Sequence, residues 1–311
     1  MIELRHLRYA IVVADEGHMT RAAERLGLQQ PPLSQQIRAL EDRIGTPLFR
    51  RLPRGMALTE AGEAFIARAR QVVADVEGAV DAARRAARGE TGKLVIGFTS
   101  SAGFHPLVAS VVRAYGSASP DVSLTLEEGS TAELIGDLLA ERLDAAFVRS
   151  TASPDPRLTI EPVWREDMVL ALPDTHRLAQ GAEGLASAAG HGVALADLAG
   201  ETFVLYRRQS AQGLYDLIIT ACHEAGFSPR VGQETPRFVS TLSLVAAGLG
   251  LTIIPRSLAR LETSGVSYRR ILAASPLEAP LSLAYRGDPA AGALKTFIDE
   301  VRRQAKASPA V

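Results

Sequence analysis

Two adjacent prolines, Pro31 and Pro32, stand inside AAERLGLQQPPLSQQIRALEDRIG (residues 22–45), a stretch with helical periodicity on both sides of them. In a helix interior each would delete a backbone hydrogen bond and clash with the preceding turn, costing about 3 kcal/mol. In the first turn neither penalty applies, because the N–H groups there have no intrahelical partner and the fixed φ of proline suits a helix start. The prolines therefore divide the run in two. A short helix carries Ala22, Ala23 and Leu26 inward and stops at Gly27, and another begins near Gln30 and buries Leu33, Ile37, Leu40 and Ile44 before Gly45. Ahead of both, Leu4, Leu7, Ile11 and Ala14 recur at helical spacing as the buried stripe of a first helix that Gly17 ends. Three helices, the last two joined by a short turn, predict a helix-turn-helix.

The outward face of the third predicted helix offers Gln30, Ser34, Gln35, Gln36 and Arg38, groups able to read base edges or reach phosphate oxygens. After it, TPLFRRLPRGMALTEAG reads as two short strands joined by a turn over Pro53–Gly55, a wing with Arg50, Arg51 and Arg54 at its tip. Arginines so placed can face phosphates beside the groove that the helix enters. Spacing alone also fits a small three-helix packing unit with a charged hairpin; the helix triplet, short turn, proline start and arginine wing together favour double-stranded DNA.

Composition adds limits. The net charge of the chain is −1, which gives no global excess directed at nucleic acid or membrane, yet residues 1–58 hold nine Arg against six Asp and Glu. The single cysteine, Cys222, excludes an intramolecular disulfide and a multi-cysteine metal site, and in LIITACHEAG it reads as a buried structural thiol. The longest apolar run near the N-terminus, YAIVVA, is too short for a signal peptide or a membrane span, so a soluble cytoplasmic protein is expected.

From Thr59, a candidate N-cap, the pattern changes. Ile66, Ala69, Val73, Val76, Val80, Ala83 and Ala87 alternate at three and four, a heptad seam over a linker helix of residues 59–88. One long amphipathic helix packed on its own domain would also fit, but the small residues along the seam favour dimerisation. The glycine-containing ARGETGKL then reads as a hinge.

The remainder alternates strands and helices through GKLVIGFTSSAGFHPLVASVVRAY, PDVSLTLEEGSTAELIGDLLAERLDAAFVR, DMVLALP, TFVLYRR, GLYDLIITACHEAG, SPRVGQET, STLSLVAAGLG and LTIIP, an α/β body of mostly parallel sheet. Hydroxyl residues gather at strand-to-helix turns: Thr99, Ser100 and Ser101 at one, Ser130 and Thr131 at another, with Glu133 completing a capping box. Read from spacing alone these are ordinary N-caps; an anion site completed by the hydroxyls beside helix N-termini is the other reading. Arg149, ending AAFVR, is open to pairing with an anionic effector or with a neighbouring carboxylate. Tyr206, Arg207 and Arg208 are open to a ligand role or a surface one. His6, His18, His105, His176, His191 and His223 lack metal-site spacing, and no nucleophile elbow, phosphate loop or dinucleotide fingerprint occurs. No enzyme, cofactor or metal is expected.

The stretch LRYAIVVADEGHMTRAAERLGLQQPPLSQQIRALEDRIGTPLFRRLPRGMALTEAG resembles the LysR-type transcriptional regulators across nearly the whole family signature. Two positions depart from it: His18 stands where the family usually has a capping serine, and Pro32 doubles a proline that usually occurs once. The resemblance implies a multidomain chain: an all-α winged helix-turn-helix domain (1–58), the linker helix (59–88), and an α/β two-lobed periplasmic-binding-protein-like domain (93–311). In that last domain, lobe I covers about 93–164 and 267–311, and lobe II, inserted into it, about 165–266. It places Gln30, Pro31, Ser34 and Gln35 at the DNA-facing start of the recognition helix. It places Ser100, Ser101, Thr131 and Phe203 around an inter-lobe cleft for a small effector, expected to be a carboxylate. GFTSSAGFHPLV and LDAAFVR look like the branch sensing aromatic-degradation intermediates such as muconates. A homotetramer, as a pair of dimers, is the usual assembly. The competing expectation is a solute-binding module of periplasmic type with no DNA role.

Overall fold

The computed structural model describes residues 1–53, 55–153, 155–180, 192–208 and 212–307. The chain divides into two compact units, Met1–Arg85 and Ala86–Val311.

In the first unit α1 (Leu4–Glu16), α2 (Met19–Arg25) and α3 (Gln30–Ile44) pack around Ala10, Val13, Ala22, Leu33, Ile37 and Leu40. The buried line of α1 is His6, Ala10 and Val13, so the stripe read from the sequence (Leu4, Leu7, Ile11, Ala14) is rotated: those four are only half-buried. The cause is His6, whose polar ring is tucked in because both nitrogens are engaged, Nδ1 accepting from the Glu3 N–H at 2.9 Å and Nε2 meeting Gln36 Oε1 at 3.1 Å. Gln36 thereby belongs to the packing of the unit. His18 does cap α2, its Nδ1 accepting from the Thr20 N–H at 3.2 Å. Strands β1 (Phe49–Leu52) and β2 (Gly55–Leu58) pair antiparallel, with Leu52 opposite Gly55. Glu41 of α3 fixes the start of this wing, its carboxylate accepting from the N–H groups of Leu48 and Phe49 at 2.8 and 3.0 Å.

Helix α4 (Glu60–Ala87) follows, and Thr59 Oγ1 accepts from the Gly62 N–H at 3.0 Å as its cap. A Cβ on Gly62 would lie 2.0 Å from the Leu48 carbonyl oxygen, so only glycine lets α4 start this close to the wing. The heptad seam then divides. Ile66 joins the core of the unit and Ala69 is buried, whereas Val76 and Val80 are 39% and 46% exposed.

The second unit comprises, in chain order, β3 (Gly92–Phe98), α5 (Ser100–Gly103), α6 (Pro106–Ala118), β4 (Val122–Glu128), α7 (Thr131–Leu139), β5 (Ala145–Val148) and β6 (Leu158–Pro173). Then come β7 (Val193–Ala194), β8 (Thr202–Tyr206), α8 (Gln212–Glu224), β9 (Arg230–Thr235), α9 (Phe238–Ala246), β10 (Thr252–Pro255), β11 (Val266–Leu272), β12 (Glu278–Arg286) and α10 (Gly292–Ala307). Strands β3, β4 and β5 are parallel, as are β8 and β9, while β12 runs antiparallel to β5 and β6, and β10 and β11 antiparallel to β6. The sheet is therefore mixed, not mostly parallel: the strands that carry the chain between the lobes pair antiparallel.

The 16-residue β6 is the frame. Its first part pairs with β12 in lobe I, and Met168–Pro173 pairs with β10 and β11 in lobe II. Because β11 pairs in lobe II, the return to lobe I comes after it, at 273–277, and not at 267 as read from the sequence. Each lobe has its own core, around Ile96, Phe147 and Phe297 in lobe I and around Leu170, Phe203 and Ile253 in lobe II. Among the described residues no helix is long and apolar enough to cross a membrane.

Gly62→Ala is expected to destabilise the chain by about 1–3 kcal/mol through overpacking against Leu48. Gly78→Ala on the same helix, where a Cβ meets nothing within 4 Å, is expected to stabilise it by up to about 1 kcal/mol. Urea unfolding of the two variants reads the contrast.

Candidate functional site

The first turn of α3 is its functional end. Pro31 and Pro32 both fall within it, after the N-cap Gln29. Gln30, Pro31 and Gln35 are exposed and Ser34 half-buried, with Arg38 exposed one turn on. Most other arginines of this unit are committed: Arg25 to Glu16 at 3.0 Å, Arg21 to Glu16 at 3.6 Å, Arg70 to Asp15, and Arg43 to the Met1 carbonyl. Arg38, Arg50 and Arg51 are exposed and pair with no carboxylate among the described residues. Arg50 lies opposite Ala57 and Arg51 opposite Met56, so strand alternation sends these two side chains to opposite faces of the wing. Arg54 lies outside the described residues.

The second site is a cavity of about 500 Å³. Its walls are the turns after β3 (Thr99, Ser100, Ser101), after β4 (Glu128–Thr131) and after β9 (Pro236–Phe238), with Arg149 after β5, Tyr206 at the end of β8, and Leu214 on α8. All of these turns leave the carboxyl ends of parallel strands, where α/β sheets place their ligands. The start of α8 closes in because residue 213 is glycine: a Cβ there would sit 2.3 Å from the Arg149 carbonyl oxygen.

Arg149 is 3% exposed and its guanidinium meets Glu166 at 2.6 Å. It also donates to the Ser101 carbonyl at 3.0 Å and the Pro280 carbonyl at 3.4 Å, while Glu166 accepts from the Ser257 N–H at 2.7 Å and the Ser257 hydroxyl at 3.0 Å. Burial lowers the Arg149 pKa and Glu166 opposes the shift. Of the two roles open to Arg149, pairing with a carboxylate of the chain itself is the one the structure realises. Its Nε nevertheless has no partner, nor do the hydroxyls of Thr99 and Tyr206, and all three residues line the cavity. Burial raises the Tyr206 pKa well above the usual phenol value, so the hydroxyl stays protonated.

Ser100, Ser101 and Thr131 lie on the cavity wall. Phe203 does not: it is fully buried in the lobe II core at the other end of β8, its ring 6.3 Å from that of Phe227. The strand-end residue that reaches the cavity is Tyr206, and alternation along an apolar strand gave no sign of which end opens. Arg208 is spent on Asp216 at 2.7 Å. Ser130 and Glu133 form the expected capping box. His105 caps α6 through Nδ1, and burial holds its pKa down to about 4, so it is structural and neutral. Cys222 is buried, with its thiol pushed up to about 11. Glu128 and Arg237 were invisible as site residues in the sequence, because exposed charges beside a turn carry no distinguishing pattern. Among the described residues no group of three His, Cys, Asp or Glu could hold a metal ion.

Residues 4–63 match the bacterial regulatory helix-turn-helix protein, lysR family, and residues 87–306 the LysR substrate binding domain. The chain is 37% identical to the HTH-type transcriptional regulator BudR of Raoultella terrigena, covering 96% of this chain and 99% of that one. It is 32% identical to the HTH-type transcriptional regulator TfdS of Cupriavidus pinatubonensis, covering 97% and 98%. The crystal structure of full-length CbnR complexed with its target DNA matches with a TM-score of 0.78 at 30% identity, covering 98% of this chain and 100% of that one. The helix-turn-helix match sets aside a solute-binding module without a DNA role. With a winged reading head and a two-lobed effector domain both matched, the chain belongs to the LysR family of DNA-binding transcriptional regulators.

Proposed function

We propose that Gln30, Pro31, Ser34 and Gln35 read operator bases from the first turn of α3, while Arg38, Arg50, Arg51 and Arg54 contact phosphates. A small carboxylate effector in the cavity lined by Ser100, Ser101, Thr131 and Arg149 shifts the equilibrium between two arrangements of the regulator, and with it the spacing or bending imposed on DNA. The effector acts only to the extent that its affinity differs between those arrangements. The observation that carries this reading is that three residues of one cavity wall, Thr99, Arg149 and Tyr206, each hold a buried polar atom without a partner: Oγ1, Nε and Oη. Unpaired buried polar groups are costly, so such atoms are expected to await a partner.

The open face of α4, with Val72, Val76 and Val80 between 39% and 46% exposed, supports dimerisation through that helix, and a tetramer as a pair of such dimers. A finer reading, an effector from aromatic degradation, rests on GFTSSAGFHPLV and LDAAFVR.

Ser34→Ala is expected to weaken specific operator binding by about 1 kcal/mol and leave non-specific binding unchanged. Arg51→Ala is expected to weaken both and to lower the salt slope by about one. Fluorescence anisotropy on the chain's own upstream DNA between 50 and 200 mM salt tests this, and unchanged specific affinity in both variants removes the reading head. Thr131→Ala and Ser100→Ala are expected to reduce the effector-dependent change in DNA binding several-fold; a full response in both overturns the cavity assignment.

A further inference from the structure

The polar groups of the cavity are not equally available. Arg149 is neutralised by Glu166, so the wall formed by Thr99, Arg149 and Tyr206 holds unpaired hydrogen-bonding atoms just beneath its surface and no net charge. On the lobe I wall two of the three turn serines are already engaged with carboxylates: Ser100 Oγ donates to Glu128, and the Ser130 N–H donates to Glu133 at 2.7 Å. An anion placed there would face two like charges. The wall contributed by lobe II is different. Arg237 precedes α9, is exposed, and makes no ion pair or side-chain hydrogen bond among the described residues. It lines the cavity beside the free N–H groups that open this nine-residue helix.

We propose that Arg237 takes the carboxylate of the effector, and that the effector is a monocarboxylate bearing a neutral hydroxyl or carbonyl oxygen that meets the Tyr206 and Thr99 hydroxyls and Arg149 Nε. The inference rests on the cavity being the effector site. It narrows the ligand class: dicarboxylates are disfavoured, because a second negative charge finds either Glu128 and Glu133 or Arg149, a cation already paired with Glu166. A neutral oxygen, by contrast, fills hydrogen-bonding capacity that an unsubstituted acid would leave unmet, and sites built this way discriminate strongly against the analogue lacking the oxygen.

Isothermal titration of the full chain with matched acids tests the class: 4-hydroxybenzoate against benzoate, 3-hydroxybutyrate against butyrate, and succinate and cis,cis-muconate as dianions. The oxygenated member of at least one pair is expected to bind tenfold or more tightly than its partner and than either dianion. Tyr206→Phe, or Thr99→Val where the first variant is unstable, is expected to abolish that discrimination, and Arg237→Gln to weaken every monocarboxylate at least tenfold. A dianion binding most tightly and weakened by Thr131→Ala overturns the ligand class and leaves the cavity reading intact. Binding that is insensitive to Tyr206→Phe, Thr99→Val, Arg237→Gln and Thr131→Ala alike overturns both.

Discussion

The contact between Arg149 and Glu166 is the point on which the effector domain turns. Taking both charges out of water costs several kcal/mol per ion, and the expense is met only where each is surrounded by further partners. Here they are supplied from separate parts of the fold: Ser101 from the turn after β3, Pro280 from β12, and Ser257 from the 3-10 turn after β10. Each lobe must be in place for the pair to be satisfied. Because the partners fall short by one, at Nε, the same cluster leaves an unmet donor in a residue of the cavity wall.

The reading head was legible in the sequence because its signals are local. Proline in a first turn, glycine after a last one, and apolar residues at helical spacing each have a cause within a few residues, and Gly17 and Gly45 do adopt left-handed φ of 56° and 80° at the helix ends. What misled was a long-range contact. His6 is polar, so a pattern of apolar residues passes over it, yet Gln36, thirty positions on, lets it take the buried position in α1.

In the effector domain the strands and helices were legible, and their pairing was not. Local alternation cannot say that β11 runs antiparallel to β6 and so belongs to lobe II, nor that β8 presents Tyr206 to the cavity while Phe203 fills the core behind it. The hydroxyl turns were found because capping chemistry is local. Their occupation by Glu128 and Glu133 was half visible: the capping box is a sequence pattern, while the bond from Ser100 to Glu128 joins two strand ends that only the fold brings together.

The lobes are joined by two stretches of chain that lie side by side, β6 near Met168 and the return at 273–277, tied by the bond from the Met168 N–H to the Leu277 carbonyl at 2.9 Å. A paired ribbon can twist and flex, but it cannot slide along itself without breaking its ladder and turning each side chain to the wrong face. The two halves of the domain are thus coupled like the covers of a book on a single spine. Any change in the angle between the lobes is therefore taken up in this one ribbon of chain.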